Sequence, residues 1–278
     1  IKVLGINFAI FGILLISPAI LFRLYTNLKP RFSRSINQTS DQRAFYPTYS
    51  NKKFSIELFN ELGKTSFIYK SFIGWRRREV NFKYTTILSP YNVRKSKGHS
   101  VDNSVWFFGG STMWGTGASD LQTIPSHFNS LTKNSVYNFA EADWNSRQSL
   151  NQLINALGDE HIPSVVIFYD GVNDVANQCR KEFQSLPIHS RERVVQNALE
   201  PYQIKRYLKF FFSPYIDFAK RYNLNLKAGN RFNSKFYDCD TNKAKSLSIA
   251  QHLVNNWYTA YSLSRSKGFE FYGILQPN

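Results

Sequence analysis

The sequence predicts an α/β protein: a parallel sheet with helices packed on both faces. Three observations predict it. Short apolar runs recur along the chain, "SVWFFGG" (104–110), "SVYNFA" (135–140) and "PSVVIFYDG" (163–171). Each is too short for a core helix and apolar along its length, as strands buried on both faces are. Segments of helical periodicity stand between them. The links are short, and strand–helix–strand units with short links make right-handed crossovers between parallel strands.

The elements follow in order. Residues 121–132 alternate polar and apolar groups at helical spacing, with Pro125 in the first turn. "SRQSLNQLINALG" (146–158) is an amphipathic helix stopped by Gly158. A helical insertion at about 176–243 then interrupts the rhythm. Inside it, Tyr207, Phe211, Tyr215, Phe218 and Tyr222 share one helical stripe, which suits core packing better than docking on a membrane surface. A long helix at about 243–266 leads through Gly268 into a fourth strand, "FEFYGIL".

Ahead of this domain, residues 3–22 carry no charge. Twenty residues at about 1.5 Å each span roughly 30 Å, the hydrocarbon thickness of a bilayer. The expected layout is a transmembrane anchor at 1–24, a polar tether at 25–60 and the α/β domain at 61–278, with 61–103 an irregular lead-in. A cleaved signal peptide would have a shorter apolar core and a prompt small-x-small site. Arg23, Lys29, Arg31 and Arg34 follow the span and only Lys2 precedes it, so the charge count alone places the domain in the cytoplasm.

The formal net charge of +16 calls for an anionic neighbour: nucleic acid, an acidic membrane surface or an acidic polymer. "WRRREV" (75–80) is the tightest basic cluster. No zinc-finger spacing or RNA-binding signature accompanies it, so no nucleic-acid partner is expected. With 42% apolar residues the chain is not a disordered one. Cys179 and Cys239 either form one disulfide, as an oxidising compartment would allow, or remain two buried thiols; their spacing leaves both open.

The chemistry gathers where strands end. "GGST" (109–112), "NFAEADWNS" (138–146) and "DGVND" (170–174) would all open onto the ligand-binding edge of a parallel sheet. "GGSTMWGTG" lacks the lysine of a phosphate loop, since Thr116 follows Gly115. It has no G-x-G-x-x-G, and Met113 stands where a nucleophile elbow needs its second glycine. What remains is Ser111 as a nucleophile just past a strand end. Asn173 and a backbone N–H of the 140–145 loop would be donors to an oxyanion. The plainer alternatives are a helix cap at Ser111 and a turn at Asn173 and Asp174; Asp174 is assigned to structure. No cluster has metal-ligand spacing, and neither metal nor cofactor is expected.

These blocks, "GGSTMWG", "NFAEADWNSRQSL" and "GVND", resemble the first three of the SGNH (GDSL-like) hydrolase family, over residues 104–278 with the blocks within about 104–175. The resemblance implies a three-layer α/β/α fold with a flavodoxin-like sheet. It makes Ser111 the nucleophile, with its own N–H and the Asn173 amide in the oxyanion hole. Asp143 stands where the family has a glycine. Its N–H would survive as the third donor, while its carboxylate would oppose a nearby oxyanion and its backbone would reach a glycine-like conformation at a cost. "FIGWRRREVNFKYTTILSPYNVRKS" (72–96) resembles the lead-in of membrane-anchored bacterial members. That likeness implies a serine esterase or O-acyltransferase on an O-acyl group, acetyl above all, of a small ester or a cell-surface polysaccharide. It also implies an extracytoplasmic domain, against the charge count.

The family's late Asp-x-x-His block is absent from 1–278; His99, His127, His161, His189 and His252 all sit elsewhere. Truncation after "LQPN" is the expected cause, and the fragment itself is then inactive. The rival is an inactive module of the same fold that binds an anionic glycan or polymer.

Overall fold

The computed structural model describes residues 41–181 and 237–277. The expected anchor, the first part of the tether, the aromatic stripe at 207–222 and His189 lie outside those residues. Among the described residues, no helix is long and apolar enough to cross a membrane.

The chain opens with a 3-10 turn, Gln42–Phe45, and helix α1, Lys52–Lys64. The second half of the segment read as tether is therefore folded. Asn51 accepts from Phe54 N and caps α1, whose Leu58 and Phe59 are buried. The lead-in is also ordered. It holds a hairpin, β1 (Phe67–Lys70) and β2 (Gly74–Arg77), then β3 (Val80–Asn81), β4 (Thr86–Leu88) and β5 (Val93–Arg94). There follow β6 (Val105–Gly109), α2 (Ser111–Trp114), a 3-10 turn (Asp120–Gln122), α3 (Ile124–Thr132) and β7 (Val136–Asn138). The last elements are α4 (Ser146–Gly158), β8 (Val165–Asp170), α5 (Val172–Gln178), α6 (Lys243–Lys267) and β9 (Glu270–Leu275).

The main sheet runs β3-β4-β5-β7-β6-β8-β9. Its strands β7, β6, β8 and β9 are parallel, with the first parallel strand, β6, between the second and the third. That is the flavodoxin-like order. The expectation of a wholly parallel sheet needs correction: β5 pairs antiparallel with β7 through Arg94 and Asn138, and β3 and β4 continue antiparallel. The links 82–85 and 89–92 are too short to hold a crossover helix, so these strands can only reverse.

β6 is buried at every position. Its alternation sorts the core. Trp106 and Phe108 face Leu150, Leu153, Ala156 and Leu157 of α4 and Ala260 of α6. Val105 and Phe107 face the side covered by Phe128 of α3 and Leu62 of α1. α4 starts at a capping box between Asn145 and Gln148. α6 ends at Gly268, φ +82°, which turns the chain into β9.

Cys179 and Cys239 form a disulfide across 60 residues of sequence, which resolves the open cysteine question in favour of pairing. In the chain-entropy picture a loop of that size stabilises by about 4 kcal/mol. Beside it Arg180 bridges to Tyr237, and Lys245 Nζ donates to Arg180 O at 2.7 Å and to Asp238 at 2.8 Å. Residues 179–181 and 237–239 are thus held side by side.

Candidate active site

The site lies beyond the C-terminal ends of β6 and β8, where the chain's crossovers leave to opposite sides of the sheet. Gly109 closes β6 with φ +148°, and a Cβ there would stand 2.4 Å from Tyr169 O on the neighbouring strand. Gly110 follows in an ordinary extended conformation, φ −85° and ψ −155°. A Cβ on it would lie 2.4 Å from Asn173 Nδ2 and 3.3 Å from Trp144 O. Asn173 Nδ2 itself donates to Trp144 O at 2.7 Å. The backbone immediately before Ser111 is therefore packed against the Asn173 amide and the loop that carries Asp143.

Ser111 is the first residue of α2, so its N–H has no partner within the helix. Asp143 sits in the turn between β7 and α4 and is exposed. Its φ is +67°, the left-handed region that glycine enters freely and that costs other residues roughly 1–2 kcal/mol. All three residues share one edge of the sheet. A shallow depression of about 370 Å³ opens on the α2 side of Ser111, lined by Ser111, Thr112, Thr116, Gln122 and Ile124 among others; Asn173 and Asp143 do not line it.

Around this edge stands a set of buried arginines that motif reasoning did not single out. Arg94 is fully buried. Its guanidinium donates to Gly115 O at 2.8 Å, Ala118 O at 2.6 Å and Asp120 at 3.0 Å. These bonds hold the "GTGASD" loop, whose Gly115 and Gly117 turn through φ +88° and +89°. Trp114, also fully buried, lies between the guanidiniums of Arg94 and Arg77, each 4.2 Å from its ring centre.

Arg77 makes a short ion pair with Glu141, and its backbone N–H donates to the same carboxylate at 2.9 Å. Glu141 also accepts from Ala142 N at 2.8 Å. Arg76 stacks on Trp144 at 4.6 Å and bonds Gln152 at 2.8 Å, while Trp144 Nε1 donates to Trp75 O at 3.1 Å. Burial pulls the Arg76 guanidinium down to about 10, so it stays charged at neutral pH. The β1–β2 hairpin thus braces the Asp143 loop. Two of the three arginines in "WRRREV" point inward and are not a surface patch. A signal for this was present in Glu141, a carboxylate inside the apolar run "NFAEADW", which burial obliges to find a cation.

Below the site, Asp170 and Asp174 are both buried. Ser149 donates to Asp170 at 3.0 Å, and the Ser146 N–H donates to Asp174 at 3.1 Å. Asn256 of α6 donates to the Ser146 hydroxyl at 2.8 Å. Burial, then the Asp174 charge, pushes Asp170 up to about 8; burial also raises Asp174. The native state therefore holds a proton that an unfolded aspartate releases near pH 4. The stability from that proton is complete below about pH 4 and is lost as pH rises towards 8. Asp170→Asn cannot titrate. Its stability relative to the unmodified protein is expected to rise across that window, by up to about 1.4 kcal/mol per pH unit, and level off above it. Thermal unfolding of both proteins from pH 4 to 9 measures this; a constant difference would mean that Asp170 is ionised in the fold.

Among the described residues no histidine or carboxylate hydrogen-bonds the Ser111 hydroxyl. His161 Nδ1 does meet Asp102 at 2.9 Å, but that pair lies ahead of β8 and β6, at the end of the sheet away from Ser111. His99 is likewise at a strand start, bridged to Val136. His127 lies on α3 and His252 on α6. No group of three His, Cys, Asp or Glu among the described residues could hold a metal ion.

The fold and this edge define a class: a flavodoxin-like α/β protein with a serine, an amide and a backbone turn gathered at its switch point. No family model matches the chain and no curated protein matches it. Solved structures similar to it include one provisionally assigned as an acylhydrolase from Bacteroides fragilis. It is 16% identical, covering 64% of this chain and 70% of that one, with a TM-score of 0.24. Another is a GDSL-like lipase from Bacteroides thetaiotaomicron, 14% identical over 62% and 68% of the two chains, also at 0.24. Likeness that distant places no catalytic residue.

Proposed function

We propose that the protein is a serine esterase or O-acyltransferase in which Ser111 is the nucleophile. One observation carries the reading. The Gly110 backbone is packed against the Asn173 amide and Trp144 O, which supports a reading in which the adjoining Ser111 and that amide serve one reacting centre. The Ser111 hydroxyl attacks an ester carbonyl, and its proton passes to a base outside the described residues. The carbonyl oxygen becomes an oxyanion that the Ser111 N–H, the Asn173 amide and the Asp143 N–H stabilise. The tetrahedral centre collapses, the alcohol leaves with a proton, and water or a second hydroxyl then takes the acyl group from the serine.

We also place the domain on the extracytoplasmic side of a membrane, anchored through residues 3–22, and acting on an O-acetyl group of a surface glycan. The disulfide supports that side, since such bonds persist in oxidising compartments. The test is fluorophosphonate labelling of the full-length protein. Labelling is expected to vanish in Ser111→Ala and to slow about 10²–10³-fold in Asn173→Ala. Equal labelling of the Ser111→Ala protein would remove Ser111 from the mechanism.

A further inference from the structure

The opening at Ser111 does not stand alone. A second depression, of about 470 Å³, is lined by Tyr49, Ser50, Asn51, Phe54 and Tyr84 among others, and it shares Ala118 and Gln122 with the first. Together they form one groove, running from Ser111 over the arginine-held loop to the start of α1. Its far wall is the 43–54 segment, which the catalytic reading leaves without a role.

The lining states what fits. Gln122 Oε1 accepts from Ser119 Oγ at 2.9 Å, which fixes the side chain and leaves its N–H groups outward. Asn51 Oδ1 is fixed in the same way by Phe54 N at 3.0 Å. Tyr49 donates to Gly117 O at 2.8 Å, so its oxygen keeps only acceptor capacity, and its ring is held edge-on against Phe59. The one cation in its lining, Arg43, is already paired with Asp41 through side-chain contacts of 3.0, 3.3 and 2.7 Å. The groove therefore presents fixed donors and acceptors, with Phe54 and Ile124 as separate apolar contacts in its two halves, and its charge is internally balanced. That is the complement of a neutral chain of hydroxyls. An acyl tail needs a continuous apolar slot, and an anion needs a cation not already matched by a carboxylate.

We propose that this groove is a binding site for the alcohol part of the substrate, a neutral polyhydroxylated chain of the oligosaccharide class. Gln122, Asn51 and Tyr49 are its specificity-determining residues. The proposal rests on Ser111 as the reacting centre, and its test is kept separate by measuring binding alone. Full-length Ser111→Ala protein is applied to an array of short neutral, O-acetylated and uronate-containing oligosaccharides, with anionic phospholipid vesicles alongside. Neutral or O-acetylated chains should be retained. Gln122→Glu and Asn51→Asp keep the local hydrogen bonds but lose the outward donors, and each should weaken retention about fivefold. Retention of uronates or vesicles alone, no retention at all, or retention unchanged in both variants overturns the proposal. Loss of fluorophosphonate labelling, by contrast, bears only on Ser111.

Discussion

Arg94→Ala is expected to cost about 3–5 kcal/mol and to release the 115–120 loop. The side chain is fully buried, Gly115 is buried beside it, and Ala118 and Asp120 are half-buried. Gly115 O and Ala118 O would lose their donor, and Asp120, only 13% exposed at its side chain, would be left a carboxylate without a cation. Each buried acceptor stripped of its partner costs about 1–3 kcal/mol, and the charge costs more. Trp114 would also lose one of its two guanidinium faces. Arg94→Lys tests whether charge or shape matters. An ammonium on a flexible stem cannot reach the positions of a planar fork together, so lysine should recover less than half of the loss. Urea unfolding gives the cost. Amide exchange at Gly115–Asp120 shows whether the loop opens with it. A cost below about 1 kcal/mol would mean that the two left-handed glycines shape the loop unaided.

This loop marks the boundary of what the sequence made legible. The strands at 105–109, 136–138 and 165–170 and the helix at 146–158 stood out because burial imposes a period, and local composition records it. Their order placed Ser111 and Asn173 on one edge before any contact was known. The resemblance set Asp143 at a position where glycine would ease the backbone, and its φ of +67° lies in the left-handed region. The arginines were different. Arg94 and Arg76 read locally as surface charge, because a cation's burial depends on partners far along the chain: Asp120 for one, Gln152 for the other. The same holds for net charge, where Arg76, Arg77 and Arg94 count toward the excess yet are buried. The antiparallel strands were missed for another reason. At two to four residues each, they are too short to establish an alternation. The helix at 52–64 did carry a pattern, a capping Asn51 followed by Leu58, Phe59 and Leu62, but the polar segment before it masked the start.

The adjacent glycines allow the fold and the site to be separated. Gly109→Ala should cost about 3 kcal/mol or more. Its Cβ would stand 2.4 Å from a backbone carbonyl, Tyr169 O, at the last pair of the β6–β8 ladder, where β8 is also paired with β9 on its other side. Neither strand can retreat without breaking the sheet, and φ +148° is itself strained for any residue with a side chain. Gly110→Ala meets a softer obstacle. Its φ of −85° suits alanine, Trp144 O needs to yield only slightly, and the 2.4 Å contact is with the far end of the Asn173 side chain. That side chain can swing away for about 1 kcal/mol, the worth of its bond to Trp144 O. The amide is then no longer where an oxyanion on Ser111's substrate would form. The expected result is a melting temperature within a few degrees of normal, with fluorophosphonate reactivity down about 10²-fold, close to that of Asn173→Ala. Melting curves and labelling rates on the same two proteins decide it. A Gly110→Ala protein that labels at the normal rate would leave Asn173 a turn residue. One that fails to fold would show that the amide is held more rigidly than its single bond suggests.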